Sequence, residues 1–332
     1  MLQLTFLGTS AGVPTRRRNV TGLAVQTGPG KSWLLVDCGE ATQHQILRSA
    51  LSVHDLHTIL ITHAHGDHCY GLPGLLSSCA MHHRTEPLTL IAPQAVLDWV
   101  AATERCGDLC LPYPLHVHPV EPHDTVVSRH DLHITRHPLA HRVPSHAYRI
   151  EQIQHRTRLD GEALRRLGLP RGPLWKALQQ GSEVEWQGQR IRPDAVCLHE
   201  ERHLCAVVAG DNAMPTLLTE ACAGAQLLVH ESTYTEAVLQ RVGPEYLHSC
   251  AADVARFAED RGLPNLILTH FSPRFDGPPE RLAPVRDEAM AHYHGHLHLA
   301  CDFDVLDLHD DGRLELVSRN GQPVSPARQP DR

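Results

Sequence analysis

Short apolar strands alternating with amphipathic helices along the chain predict a layered α/β fold. Two observations carry this expectation. Thr58–Ile61, Leu204–Ala209, Leu227–His230 and Leu266–Thr269 are short, apolar and partly β-branched, the pattern of strands buried on both faces. Segments with helical apolar spacing fall between such runs, in a similar order in both halves, without a repeat at the residue level.

In chain order, Leu2–Leu7 alternates and ends in Gly8, a strand running into a loop. Leu23–Thr27 and Trp33–Val36 read as strands about the turn Gly28-Pro29-Gly30. Thr42–Ala50 has helical spacing. Leu88–Ile91 reads as a strand, Gln94–Thr103 as a helix, and Leu115–Val120, Thr125–Val127 and Leu132–His137 as further strands. From about residue 155 the texture changes. His155–Arg192 is polar and rich in Gly and Pro, with a helical patch near Glu162–Leu167, and alternation resumes at Ala195. Met214–Ala223, Cys250–Arg261 and Glu280–Tyr293 read as helices. The tail from Asn320 is polar and turn-forming, and is expected to fray.

The 332 residues suffice for one large or two smaller cores, and 42% apolar content is an ordinary globular value. No run of about 18 apolar residues is present, so no membrane span is expected. The start, MLQLTFLGTSAGVP, has no basic segment followed by an apolar one, which predicts a cytoplasmic protein without a signal peptide. Ten cysteines without CxxC pairs read as free thiols in a reducing compartment. Cys38, Cys69 and Cys79 have apolar neighbours and are expected in the core. A net charge of −8 argues only weakly against a nucleic-acid partner, because a local basic patch decides more than the total.

The chemistry is concentrated in His63-Ala64-His65-Gly66-Asp67-His68, directly after the strand Thr58–Ile61. Imidazole nitrogen and carboxylate oxygen are donors that Zn²⁺ accepts. His63 and His65 are two apart, so an extended backbone directs both to one side. Asp67 and His68 follow the turn and can serve a second ion, with Gly66 allowing the tight backbone between the pairs. One cluster cannot fill two sites. His141, Asp211 and His270 each follow an apolar strand or its loop, but singly each reads equally well as a turn or cap residue.

Taken together, HAHGDH and these later residues resemble the metallo-β-lactamase superfamily, and the surrounding words resemble ribonuclease Z (tRNase Z). FLGTSAGVPTRRRNV is similar to that family's N-terminal loop, and LLVDCGEATQHQI to its first acidic motif. THAHGDHCYGLPGLL, HRVPSHAYRI, GD followed by P, HEST and LTHFSPR follow in the family order, and GLPRGPLWKALQQG is similar to its substrate-binding arm. The likeness runs from about residue 1 to 305. Asn212 departs from it, since the family usually has Thr after the acidic residue.

The resemblance implies a four-layer αββα metallo-β-lactamase sandwich with a protruding substrate-binding arm: a domain over 1–305, an inserted arm at about 155–192, and a C-terminal strand and tail over 306–332. It implies two Zn²⁺ per subunit, one held by His63, His65 and His141, the other by Asp67, His68 and His270, with Asp211 bridging. It implies a homodimer that removes the 3′ trailer from precursor tRNA, leaving a 3′-OH on the tRNA and a 5′-phosphate on the trailer. Asp67 is the expected proton acceptor. Asp37 in VDCGE either braces the ligand histidines or is a simple turn residue. Glu231 and His248 are the expected proton donors to the departing oxygen; from the residues alone they read equally as a surface Glu and a helix-capping His.

RNA contacts are expected in two places. His155–Arg192 carries eight basic and four acidic side chains, a local excess of +4 that suits phosphate binding, although a solvated surface excursion would look the same. Within it the resemblance points to Arg171, Gly172, Pro173 and Lys176, in an arm that grips RNA by shape. Arg16, Arg17 and Arg18 lie in the loop after the first strand and read either as contacts to the acceptor end or as a generic basic loop. Two other functions keep part of the evidence: a phosphodiesterase of this superfamily acting on a small molecule, and a non-catalytic zinc protein that binds RNA.

Overall fold

The computed structural model describes residues 1–324 apart from 28–29, 122–123 and 130, and omits the side chains of 154–156 and 279. The chain divides into two compact units: Met1–Gln152 with the chain from Leu204 onward, and Ile153–His203.

The first stretch lays down β1 (Leu2–Gly8), β2 (Gly22–Thr27), β3 (Trp33–Val36), α1 (Thr42–Leu47) and β4 (Leu56–Leu60). The short α2 (Gly66–Cys69), α3 (Leu72–Met81), β5 (Leu88–Ala92), α4 (Gln94–Gly107) and β6 (Leu115–Pro119) follow. Next come β7 (Thr125–Ser128), β8 (Leu132–Leu139) and β9 (Ser145–Leu159). The second unit contains α5 (Gly161–Arg166), α6 (Pro173–Gln179) and a hairpin of β10 (Val184–Trp186) and β11 (Gln189–Ile191). The chain returns in β12 (Cys197–Ala209), then β13 (Leu227–Glu231), α7 (Glu236–Val242), α8 (Ala251–Asp260) and β14 (Asn265–Thr269). It ends in α9 (Ala283–Met290), β15 (His296–Leu299), β16 (Val305–Leu308), β17 (Leu314–Arg319) and β18 (Gln322–Pro323).

The larger unit holds two mixed sheets, ordered β18-β17-β16-β1-β2-β3-β4-β5-β6 and β15-β14-β13-β12-β9-β8-β7. Strands β3 to β6 are parallel neighbours in the first, and β12 to β15 in the second. The two-residue period of a strand sorts their side chains. Leu34 and Val36 face inward with Leu2, Leu4, Phe6, Ile134, Tyr148, Ile150 and Ile267 in a core shared by both sheets. Trp33 and Leu35 face outward, under Ile46 of α1, Leu72, Leu75 and Leu76 of α3 and Val96 and Val100 of α4. On the far face, Leu228, Leu266 and Leu268 pack under Val254, Ala255 and Phe257 of α8 and Val285 of α9. The layers are therefore helix, sheet, sheet, helix. Each fully buried Leu or Val contributes about 1.5–3 kcal/mol.

The second unit has its own core of Leu164, Leu169, Leu178, Val184, Ile191 and Val196. It is longer than the expected arm and more ordered. The helical patch at Glu162–Leu167 is α5, whose N-cap Asp160 accepts from Glu162 N and Ala163 N. Helix α6 and the β10–β11 hairpin were not anticipated from the Gly- and Pro-rich composition.

Three helical expectations are corrected. Met214–Ala223 holds only a 3-10 turn at Pro215–Leu218 before a run of turns; Leu217 N and Thr219 N bond three residues back. Leu218, Ala221 and Cys222 are nonetheless buried, so the apolar spacing reported burial and not helix. Glu280–Tyr293 begins as a 3-10 turn at Pro279–Leu282, and α9 starts only at Ala283, with Pro284 in its first turn. Helix α1 ends at Leu47, short of Ala50. Residues 306–324 are not a separate piece, since β16, β17 and β18 extend the first sheet. Gly28 and Pro29 of the expected turn, and 325–332 of the expected frayed tail, lie outside the described residues. All ten cysteines are free, with Cys38, Cys69 and Cys79 buried. Among the described residues no helix is long and apolar enough to cross a membrane.

Candidate metal centre

Parallel strands deliver their carboxyl ends to one edge, where loops carry the polar groups. His63 and His65 follow β4, Asp67 and His68 lie in α2, Asp211 follows β12, Glu231 ends β13 and His270 follows β14. His141 comes from the loop after β8. The loop Asp37–Gly39 sits against α2: Cys38 N donates to His68 O at 2.8 Å, and a Cβ on Gly39 would lie 2.3 Å from Asp67 O, so only glycine fits. Gly66 does not have an unusual backbone; a Cβ there would sit 2.2 Å from the ring of the exposed Tyr70, which would have to swing aside.

All seven expected ligands converge. The ligand atoms of His63, His65, His141 and Asp211 lie within 4.8 Å of one another, and so do those of Asp67, His68 and His270. Asp211 stands between the groups. Its Oδ2 is 3.6 Å from His63 Nε2 and 3.7 Å from His141 Nε2, and its Oδ1 is 3.4 Å from both His68 Nε2 and His270 Nε2. A further grouping, Asp211 with His248 and His270, shares two members with these.

The protons on the rings follow from their outer partners. His68 donates Nδ1–H to Asp37 Oδ2 at 2.7 Å, and His141 donates Nδ1–H to Leu247 O at 2.9 Å, because carboxylate and carbonyl oxygens only accept. The Thr62 hydroxyl donates to Asp37 Oδ2 at 2.9 Å, so its oxygen accepts from His63 Nδ1 at 3.0 Å. The Thr233 hydroxyl is committed to Glu231 Oε2, leaving its oxygen to accept from His270 Nδ1 at 3.0 Å. Neutral and with Nδ1 as the donor, these four imidazoles would turn Nε2 lone pairs inward, the form in which they bind a metal. His141 Nε2 comes within 3.0 Å of His65 Nδ1, and His68 Nε2 within 3.3 Å of His270 Nε2.

Lone pairs that close repel unless a cation lies among them. Tetrahedral nitrogen ligands about 2.0–2.1 Å from a zinc ion stand about 3.3 Å apart, so this donor set fits the ion in both chemistry and spacing. The acids make the same demand. Burial opposes a charge on His68, but Asp211, Asp67 and Asp37 outweigh it and push its pKa up. Burial, then the charge of His68, pushes His63 well down. Burial also opposes ionisation of Asp67, yet His68 and the hydrogen bond from His270 hold its carboxyl well below the ordinary range.

Asp37 thus braces the ligands: its Oδ1 also accepts from Thr62 N at 2.8 Å. Asp37, Leu247 and His270 all adopt the left-handed backbone, a strain of order 1–3 kcal/mol each that clusters at the site. Glu231 is buried and not a surface residue. Its Oε1 accepts from His248 Nδ1 at 2.9 Å and from Asn212 N at 2.9 Å. Burial lowers the His248 pKa, but Glu231 outweighs it and raises the value to about 9. His248 precedes α8, whose N-cap is Cys250, so it does not cap the helix.

Sequence reading missed the supports. Thr62, Thr233 and the Leu247 carbonyl orient three ligand rings. Gly12 N donates to Asp67 Oδ2 at 2.7 Å. Asn212, fully buried, accepts from Ala140 N and Met214 N and meets His230 Nε2 at 3.1 Å, tying the His141 loop to β13. Position beside a ligand was the only sequence signal for Thr62 and Asn212.

The expected RNA contacts belong partly to the larger unit and partly to the second. In the loop after β1, Arg18 turns inward and donates to Thr9 Oγ1 and Ala300 O, Arg17 donates to Gly277 O, and Arg16 is exposed. In the second unit Gly172 caps α6, Pro173 opens it and Lys176 lies in its last turn, with Arg171 placed 5.5 Å over the Trp175 ring.

A family model described as anti-Pycsar protein Apyc1 matches residues 2–107, a third of the chain. A Pseudomonas putida protein named ribonuclease Z is 46% identical over 317 residues, 95% of this chain and 99% of its own length. Among solved structures, human tRNase Z, short form, superposes with a TM-score of 0.65 at 23% identity over 92% of this chain and 98% of that one. The metallo-β-lactamase fold protein YhfI from Bacillus subtilis does so at 0.62 and 18%, over 92% and 98%.

Proposed function

This chain belongs to the ribonuclease Z family and is an endoribonuclease of tRNA 3′ processing, and we propose that it cuts with two zinc ions at the edge where its two sheets meet. His63, His65 and His141 would hold one ion and Asp67, His68 and His270 the other, with Asp211 placed to serve both. The convergence of these seven groups, with Asp211 facing both sets, carries the reading. When bound, a zinc pair lowers the pKa of a shared water and neutralises charge on the phosphodiester.

The chain's own groups do the rest. Asp67 Oδ2, already facing Gly12 N–H, His68 and His270, takes the proton of the attacking water. His248 is fixed by Glu231 through Nδ1, so its Nε2 is the atom that gives a proton to the departing 3′ oxygen. The tRNA leaves with a 3′-OH and the trailer with a 5′-phosphate. Residues 155–192, with Arg171, Gly172, Pro173 and Lys176, act as the arm that grips folded tRNA, and Arg16, Arg17 and Arg18 line the approach of the acceptor end. We further infer a homodimer working in the cytoplasm, in keeping with ten free thiols.

The test is end-mapping of products from one precursor tRNA with a trailer, together with elemental analysis of the purified protein. A 3′-OH on the tRNA, a 5′-phosphate on the trailer and two zinc ions per subunit are expected. No cleavage by the metal-loaded protein, or fewer than one ion per subunit, overturns the reading.

A further inference from the structure

A cavity of about 800 Å³ in the larger unit is separate from the metal centre and is lined by residues of the loop after β1, the end of α1, the segment 275–286 and the β15–β16 and β17–β18 turns. Six guanidinium groups line it: Arg16, Arg17, Arg18, Arg48, Arg286 and Arg319. The single carboxylate in the lining is that of Asp302, and it pairs with none of them. Its Oδ1 accepts from Thr9 Oγ1 at 2.7 Å, and its Oδ2 accepts from Asn19 N at 2.6 Å and Gln45 Nε2 at 3.0 Å.

Of the six arginines, only Arg319 has a carboxylate within ion-pair distance among the described residues, that of Asp304 at 3.8 Å. Arg17, Arg18 and Arg48 are positioned by neutral groups. Arg18 is fixed by Thr9 Oγ1 and Ala300 O, and Arg48 stacks 4.6 Å over the Phe303 ring. Arg286 has no hydrogen-bond or ion-pair partner among the described residues. A chain of net charge −8 thus gathers six cations around one hollow, and among the described residues five of them have no carboxylate within ion-pair distance. A hollow of this size suits a small ligand or a few nucleotides. Guanidinium presents paired N–H groups in the geometry of phosphate oxygens.

We propose that this cavity is a second phosphate-binding site, taking either a free nucleotide or the phosphodiesters of the single-stranded 3′ trailer. The shared chemistry is a tetrahedral phosphate whose oxygens accept N–H donors from Arg48, Arg286 and their neighbours. Only the trailer alternative rests on the function proposed above.

The test uses zinc-loaded protein and the double variant Arg48→Gln/Arg286→Gln, with bound zinc measured before and after. ADP is the free-nucleotide probe, followed by calorimetry. Loss of two charge-assisted contacts should weaken ADP about tenfold or more, while Arg48→Lys/Arg286→Lys retains most of the affinity. The trailer is tested by the KM of two precursor tRNAs, one with a trailer of roughly ten nucleotides and one with a single nucleotide. A KM raised only for the long trailer assigns the cavity to RNA; weakened ADP with both KM values unchanged assigns it to a free nucleotide. If neither ADP affinity nor the long-trailer KM changes, the proposal is overturned. If the wild-type enzyme cleaves neither precursor, the function proposed above fails, and the ADP comparison still decides whether the cavity binds phosphate.

Discussion

Buried Glu231 and half-buried His248 form a pair in which the carboxylate, held by Asn212 N and Thr233 Oγ1, accepts a hydrogen bond from His248 Nδ1–H at 2.9 Å. That leaves one nitrogen of His248 for chemistry and raises the pKa of the ring to about 9 against the pull of burial. His248→Asn should lower kcat for precursor tRNA by about a hundredfold to ten-thousandfold, with zinc content unchanged. Elemental analysis beside single-turnover kinetics checks this, and a variant that also loses zinc would show that the pair holds the metal site together instead.

Asp67→Ala should abolish cleavage and leave affinity for precursor tRNA near the wild-type value, because the proposed task of Asp67 is to take a proton and that of the arm is to hold the tRNA. Filter binding and product mapping on the same preparation measure both. An unchanged rate removes Asp67 as proton acceptor.

Asp37 touches no substrate in this scheme, yet it fixes His68 directly and His63 through Thr62. Asp37→Ala should weaken zinc binding by about 10–100-fold. Thr233→Val should act in the same direction through His270. Competition with a chromophoric chelator reads the affinity, and equal affinity in both variants would mean the rings hold their orientation unaided.

Deleting Asp160–Glu185 removes most of a unit that has its own core. Precursor tRNA cleavage should fall below detection while hydrolysis of bis-p-nitrophenyl phosphate persists. Equal survival of both activities would transfer tRNA recognition to the larger unit.

Asp302 offers a pH test away from the metal. Burial raises its pKa from 3.8 to about 6, against hydrogen bonds from Asn19 and Thr9 and the charges of Arg18 and Arg48. A carboxyl with a raised folded-state pKa binds its proton more tightly when folded. Its cost to stability is therefore absent below about pH 4, grows between 4 and 6, and is complete above, at a size on the order of 3 kcal/mol. Asp302→Asn should gain on the wild type over that window in urea unfolding. A constant difference from pH 4 to 7 would show that Asp302 stays ionised throughout.

Much of the metal centre could be read in the sequence. HAHGDH follows a buried strand, and that placement alone marks four of the seven ligands. His141, Asp211 and His270 were candidates from their places after apolar strands or their loops, but only the resemblance set them above turn and cap residues, since nothing local separates a ligand at a strand end from a turn residue. Their supports stayed hidden for a related reason: a threonine hydroxyl or the Leu247 carbonyl becomes a ring-orienting group only once strands distant in sequence lie side by side. The misread helix at Met214–Ala223 shows the limit of periodicity, because a string of turns can bury Leu218, Ala221 and Cys222 as a helix would. In the second unit the Gly and Pro content read as a polar excursion or arm, but it bounds elements: Gly172 and Pro173 start α6, and Gln187-Gly188 turns the hairpin.

The first sheet supplies His63, His65, Asp67 and His68, and the second supplies His141, Asp211 and His270. Neither set of ligands is complete until residue 270 has been synthesised and both sheets have closed on each other, so a chain cut between the two sheets would lack donors for both ions.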